Sequence, residues 1–196
     1  LGVYRLAGTV AAGTANRPWS LVLKICAPDD ENSDDAWVYP GREARAFRAG
    51  FLRDIPGLAA PACHEIEERP DGTIRLWLEH LIDDVPGQWP PERHAFAATC
   101  LGRFNGAFLA GRPMPTDPWL TNRALWSRLD EMGPTIASLG TLAGRDGHPF
   151  VRRFYPPAVL AALDDLWADR HAFLDVLERL PQTFCHRDPH RRNMFI

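Results

Sequence analysis

The sequence almost lacks lysine. Among the 22 lysine and arginine residues of this 196-residue chain, Lys24 is the only lysine. Genome composition accounts for a general preference for arginine, but it does not explain why the exception lies in the apolar stretch 20–25. A compact ammonium group meets phosphate oxygens as a point charge, a task that a planar guanidinium performs less well. We therefore interpret Lys24 as a candidate phosphate-binding residue, with an ordinary strand lysine as the alternative.

Other shortages exclude broad classes of protein. No apolar run is long enough to span a bilayer, and no signal-peptide pattern opens the chain. A net charge of −3 gives no general attraction to nucleic acid or to anionic lipid, so we expect neither partner. The cysteines form no CxxC pair, and we expect them to be reduced thiols in a cytoplasmic protein. They are Cys26, Cys63, Cys100 and Cys185.

The order of the sequence patterns predicts an α+β fold in two lobes, residues 1–84 and 85–196. The first part alternates in the manner of strands and holds one helical pattern, whereas the second part is helical. We expect hairpins from 2–10 with 19–26 and from 61–68 with 73–81, and helices at 41–53, 92–110, 122–132 and 157–180. The N-terminal lobe would then be a sheet of about five strands with one helix.

The most specific motif lies at 186–193. His186, Arg187 and Asp188 are followed after four residues by Asn193. This spacing is typical of the catalytic loop of kinases, where the Asp handles the acceptor hydroxyl and the Asn binds a metal ion. Both side chains would then project from one short loop.

Phosphoryl transfer requires further parts, because its catalysis depends on positioning and on neutralising charge. Lys24 is the candidate cation for the nucleotide phosphates. Glu43, in the first turn of the predicted helix, is the candidate carboxylate that holds the cation in place. Small residues at the tip of the first hairpin, Gly13 among them, would let backbone amides approach phosphate. The tip has no complete GxGxxG, and it is the weakest of these signals.

These residues together resemble the aminoglycoside phosphotransferase and choline kinase superfamily, small-molecule kinases that share the protein-kinase fold. The catalytic loop of that family resembles His-Gly-Asp-x-His-x-x-Asn. His186, Asp188, His190 and Asn193 match it, and Arg187 stands in place of the Gly. The resemblance implies a two-lobed protein-kinase-like fold, with an incomplete helical C-terminal lobe.

The same resemblance implies roles for residues outside the catalytic loop. The strand that carries Lys24 and the helix start at Glu43 are similar to the family's lysine strand and glutamate helix. Residues 76–81 resemble its hinge, where backbone groups near Glu79 and Leu81 would meet adenine. The implied cofactors are ATP, or GTP in its place, and Mg²⁺. The implied reaction transfers the γ-phosphoryl group to a hydroxyl of a small molecule, with Asp188 as the catalytic residue.

Two alternatives stay open at this stage. A kinase-like module that binds nucleotide without chemistry would keep the same fold and most of the same residues. A metal-dependent hydrolase would use His186, Asp188 and His190 as ligands, but it would leave Lys24 and Glu43 unexplained. Two arginines of the motif, Arg191 and Arg192, are expected in solvent.

The family carries a second metal-binding Asp a short distance beyond the catalytic loop, and the printed sequence ends before it. We therefore expect a piece of a longer kinase-like protein. Purified residues 1–196 should not phosphorylate aminoglycosides, choline or sugars at the expense of ATP, because one of the two metal-binding side chains is lacking. The measurement is ADP release together with mass spectrometry of the acceptor. Robust formation of a phosphorylated acceptor contradicts this expectation.

Overall fold

The computed structural model describes residues 2–13, 15–28, 41–83, 85, 87–117, 119–121, 123–141 and 149–196. The chain has an α+β fold and forms two compact units. One unit holds a β-sheet, the helices α1 (Arg42–Ala49) and α2 (Pro91–Leu109), and residues Gln182–Ile196. The other unit contains Leu120–Pro181. The boundaries of these units differ from the predicted lobe boundary between residues 84 and 85. That boundary stays a prediction.

Four strands make up the sheet in the described part of the chain, where about five were expected. Each strand is antiparallel to its neighbour, in the spatial order β1-β2-β4-β3. The two predicted hairpins, β1 with β2 and β3 with β4, are confirmed. The strands are β1 (Gly2–Ala12), β2 (Ala15–Cys26), β3 (Cys63–Glu68) and β4 (Ile74–Glu79).

The turn between β3 and β4 is closed by a side chain. Asp71 Oδ1 accepts hydrogen bonds from the backbone N–H of Thr73 at 2.9 Å and from its hydroxyl at 2.7 Å. These bonds lower the pKa of the Asp71 carboxyl, the hydroxyl bond most of all. Gly72 follows with a φ of +79°, a conformation that glycine adopts without steric cost. The Pro-Asp-Gly sequence therefore sets the register of this hairpin.

One face of the sheet is covered by α1. Leu76 on β4 is fully buried and forms the centre of the core with Leu78 and Ala44. The helix was predicted to run through 41–53, but it ends at Ala49 and a separate 3-10 turn follows. Gly50 causes the break, because it adopts a φ of +77° and donates its N–H to the carbonyl of Phe47.

An aromatic cluster joins the C-terminal segment to the rest of this unit. Phe184 packs edge-on against Phe51 at 5.2 Å and against Phe104 at 5.6 Å, both measured between ring centroids. It also meets Phe108 at 5.6 Å. Because Phe104 and Phe108 lie one turn apart on α2, a single helix face receives the Phe184 ring. The segment that leads into the 186–193 motif is therefore fixed at residue 184.

The second unit consists of helices. A single helix was predicted at 157–180, but the structure divides it between Ala168 and Arg170. The guanidinium of Arg170 stacks on the Trp167 ring and donates to the Trp167 carbonyl at 2.9 Å. The break lies at Asp169, whose φ of −92° and ψ of 9° depart from helical values. The helices are α3 (Ala124–Thr141), α4 (Pro149–Phe154), α5 (Pro157–Ala168) and α6 (Arg170–Glu178).

Within the ranges that the structure describes, no helix is both long and apolar enough to cross a lipid bilayer.

Replacing Leu76 with Ala should lower the free energy of unfolding by about 2–5 kcal/mol, because a fully buried side chain leaves a cavity. Urea unfolding followed by circular dichroism measures the change. The control is Ile82→Ala, since Ile82 is 76% exposed and its loss should change stability by less than about 0.5 kcal/mol. Equal effects of the two substitutions would contradict this location of the core.

Candidate active site

Lys24 and Glu43 form an ion pair between β2 and α1. Lys24 Nζ donates to Glu43 Oε2, and both side chains are partly exposed. The strand register explains the pairing: Lys24 lies directly across from Leu76, so both side chains point to the sheet face that α1 covers. Glu43 occupies the first turn of that helix, within reach of the ammonium group. The predicted cation and its predicted carboxylate are thus in contact.

The ion pair contributes more to the orientation of the Lys24 ammonium group than to the stability of the fold. A partly exposed pair contributes only about 0–1 kcal/mol to folding, because water screens the charges and two flexible side chains lose freedom. The contact does, however, hold the Lys24 ammonium in one place at the edge of the core. A cation held in this way can meet a phosphate without first being ordered.

Asp188 and Asn193 form the second pair. Asn193 Nδ2 donates to Asp188 Oδ2 at 2.7 Å and to the Asp188 carbonyl at 3.2 Å. Residues Arg191–Asn193 form a 3-10 turn, which brings the amide back over the carboxylate. Both side chains are exposed, so the remaining carboxylate oxygen is accessible. Asp188 and Asn193, which are five residues apart in the sequence, are therefore in direct contact in the structure.

The two histidines of the motif close the loop. His186 Nδ1 accepts a hydrogen bond from the Asp188 N–H at 3.3 Å, so this ring contributes to the shape of the loop. His190 Nδ1 accepts from the Arg192 N–H at 3.0 Å and so caps the 3-10 turn, and its Nε2 lies 3.5 Å from Asp188 Oδ2. Across the part of the chain that is described, no three His, Cys, Asp or Glu side chains group as a metal site would require.

Arg187 adopts a left-handed conformation, with a φ of +69°. It is the residue that stands where the resembled motif has glycine. This conformation costs a residue with a Cβ about 1–2 kcal/mol, whereas it costs glycine almost nothing. Partial burial also lowers the pKa of the Arg187 guanidinium. The loop thus keeps a shape suited to glycine and carries strain at this residue.

The hinge candidates lie at the end of β4. Glu79 Oε2 accepts from the Ala62 N–H at 3.0 Å, and the Glu79 N–H donates to the Ala62 carbonyl at 2.8 Å. The Glu79 side chain therefore ties the end of β4 to the segment before β3. Leu81 is half-buried just beyond the strand.

Two residues near the hinge were not singled out from the sequence. Ser20 Oγ lies 2.9 Å from His80 Nδ1, and both side chains are partly buried. The bond connects β2 with the residue between Glu79 and Leu81. Ser20 lies in the stretch that carries Lys24, and His80 lies in the hinge-like stretch 76–81, but nothing in either pattern indicated that the two side chains meet.

Gly13 lies far from Lys24. It occupies the tip of the first hairpin with a φ of +64°, beyond the pair Ala12 and Ala15, whereas Lys24 pairs with Val3 at the opposite end. At about 3.3 Å per strand residue, roughly 30 Å separate the two positions. They cannot contact the same phosphate group, so the register does not support the role expected for Gly13. The glycine beside Lys24 is Gly2, which pairs with Ile25.

No protein-family model, curated protein or solved structure matches this chain. In the ranges that the structure describes, the chain is an α+β protein with a four-stranded antiparallel sheet and several helices.

The strain at Arg187 can be measured with a pair of substitutions. Arg187→Gly should be more stable than Arg187→Ala by about 1 kcal/mol, because both remove the side chain but only glycine relieves the positive φ. Urea unfolding of both variants provides the comparison. An alanine variant equal to or more stable than the glycine variant would contradict the left-handed conformation.

Proposed function

We propose that the chain is part of a two-lobed, protein-kinase-like phosphotransferase, which moves the γ-phosphoryl group of ATP to a hydroxyl of a small molecule. The observation that carries the proposal is the ion pair between Lys24 on β2 and Glu43 on the following helix. In kinases a strand lysine must be paired with a helix glutamate for the nucleotide phosphates to be held. The contact of Asp188 with Asn193 supplies independent support.

Asp188 is the proposed catalytic residue. Its Oδ2 accepts a hydrogen bond from the side-chain amide of Asn193, which fixes the plane of the carboxylate. The other oxygen, Oδ1, is left for the hydroxyl of the molecule that receives the phosphoryl group. An acceptor hydroxyl that donates to Oδ1 would be oriented toward the γ-phosphorus, and Asp188 would take its proton as transfer proceeds. The exposure of Asp188 allows a substrate to reach it.

The donor atoms near Asp188 fit a magnesium ion. Asn193 uses Nδ2 toward Asp188, so its Oδ1 is the atom suited to a hard cation, which prefers oxygen ligands. Mg²⁺ is usually bound by one or two such side chains, with water and phosphate oxygens completing the octahedron. When bound, the ion would neutralise charge on the phosphates. Asn193 is thus the proposed metal ligand of this segment.

A small-molecule acceptor is favoured over a protein acceptor. Protein kinases usually carry a lysine two residues after the catalytic Asp, and this chain has His190 there. His190 is engaged in the loop itself, since its Nδ1 caps the turn that holds Asn193. The position is therefore used to shape the loop.

The nucleotide role of Lys24 can be tested on this chain directly. Lys24→Ala should weaken ATP binding at least tenfold, because it removes the cation that meets the phosphates. Isothermal titration calorimetry measures the affinity. The matched control is Arg17→Ala, which removes a positive charge from the far end of the same strand and should leave the affinity unchanged. Equal ATP affinities of Lys24→Ala and the unmodified chain would refute the proposed site.

The role of Asp188 requires a different readout. Asp188→Ala should leave Mg²⁺-free ATP binding intact, because the side chain faces the acceptor. In a protein that also carries the second metal-binding Asp, the same substitution should abolish phosphoryl transfer. Unchanged turnover of that variant would refute Asp188 as the catalytic residue. Nucleotide binding without any transfer by the unsubstituted form of the protein that carries the second Asp would support the binding module instead.

A further inference from the structure

Asp83 lies on the segment between β4 and α2, two residues beyond Leu81. Its Oδ2 accepts the indole N–H of Trp89 at 2.9 Å, and its Oδ1 accepts the backbone N–H of Val85 at 3.1 Å. The carboxylate is only 17% exposed, and Trp89 is buried. Two neutral donors therefore hold the carboxylate in one orientation.

Two arginines from distant parts of the chain reach this carboxylate. Arg93, in the first turn of α2, places Nη1 3.4 Å from Oδ1, and Arg191 places Nη2 3.7 Å from Oδ2. Arg191 Nη2 also donates to the Val85 carbonyl at 3.3 Å. The Trp89 bond is the main reason that the pKa of Asp83 is lowered, and the two guanidinium groups lower it further. Arg191 is thus not simply solvated, as its sequence context suggested.

Arg191 connects Asp83 with the candidate catalytic pair, Asp188 and Asn193. Arg191 is the first residue of the 3-10 turn that ends at Asn193, and Asn193 binds Asp188. Arg93 extends the link, because its Nη1 donates to the Ile196 carbonyl at 3.1 Å. The turn that carries Asn193 is consequently held by arginine contacts near both of its ends.

The strength of this link comes from the group as a whole. An isolated ion pair with one exposed partner contributes little. Removing the Asp83 carboxylate, however, would leave the Trp89 N–H and two guanidinium groups without their shared acceptor, and losses of that kind are larger than the net value of any single bond. The cluster therefore acts as one anchor for the C-terminal segment.

We propose that Asp83 is a positioning residue, which fixes the loop of Asp188 and Asn193 relative to the hinge at 79–81. The hinge segment leads directly into Asp83, so the anchor sets the distance between the place where adenine would bind and the place where the metal and the hydroxyl would bind. This inference rests on the proposed function for its purpose, but the anchor itself is a property of the fold.

Hydrogen–deuterium exchange of the chain tests the anchor without reference to activity. Asp83→Asn keeps the shape and removes the charge, and Arg191→Met removes the exposed partner. Both variants should increase exchange in peptides covering 186–196 at least fivefold, with no change at 74–79. The double variant should exchange no faster than the faster single variant, because both changes break one link. The control is Asp54→Asn, which loses a 3.2 Å pair with Arg112 and should leave 186–196 unchanged.

Nucleotide titrations separate the positioning role from a purely structural one. Asp83→Asn should lose the gain in ATP affinity that Mg²⁺ provides, as Asn193→Ala should, while its Mg²⁺-free affinity stays at the unmodified value. A fully retained Mg²⁺ gain in Asp83→Asn would overturn the positioning role. Unchanged exchange at 186–196 in both single variants would overturn the anchor. If the unmodified chain binds no ATP, the proposed function fails and the positioning role with it, and the exchange data alone decide whether the anchor exists.

Discussion

The side-chain alternation of β2 is the constraint on which the candidate site depends. Lys24 lies across from Leu76, and Leu76 is buried against Ala44 of α1. A shift of one residue in the register would turn Lys24 to the opposite face, away from Glu43. Burial of a leucine side chain is worth about 1.5–3 kcal/mol, more than a partly exposed ion pair provides. Apolar packing therefore determines where the cation lies, and the ion pair refines its orientation.

The C-terminal segment is fixed by two contacts of different kinds. Phe184 lies among aromatic rings before the motif, and Arg191 reaches Asp83 after Asp188. The residues between these contacts are mostly exposed. An exposed carboxylate on a loop is normally mobile, but here the loop is held on both sides and closed by its own hydrogen bonds. Asp188 is thereby accessible and ordered at once, which is the condition that general-base catalysis requires.

Local patterns predicted much of the fold and of the site. The two hairpins and the start of α1 follow from strand alternation and helical spacing. The two pairs of site residues were predicted from the kinase motif and from the parts that phosphoryl transfer requires. The breaks at Gly50 and Asp169 were not predicted, because each depends on the backbone conformation of one residue inside an otherwise continuous helical pattern. The distance between Gly13 and Lys24 also required the observed pairing, since strand length and register are settled by partners elsewhere in the chain.

The contact between Asp83 and Arg191 could not have been predicted for a related reason. It joins residues that are far apart in sequence, and an arginine next to another arginine gives no sign of which acceptor it will meet. The fold brings them together because α2 packs against Phe184 while its first turn lies beside the hinge segment.

The contacts of Phe184 and Arg191 also maintain the strained backbone at Arg187. The hydrogen bond from Asp188 N–H to His186 spans Arg187, so the left-handed residue sits inside the tightest part of the loop. Such strain persists only where surrounding contacts over-determine the backbone. Phe184 on one side and Arg191 on the other provide that determination. Packing at Phe184 and the Asp83 cluster therefore stabilise a loop conformation that the loop sequence alone would not favour. That conformation determines where Asp188 lies.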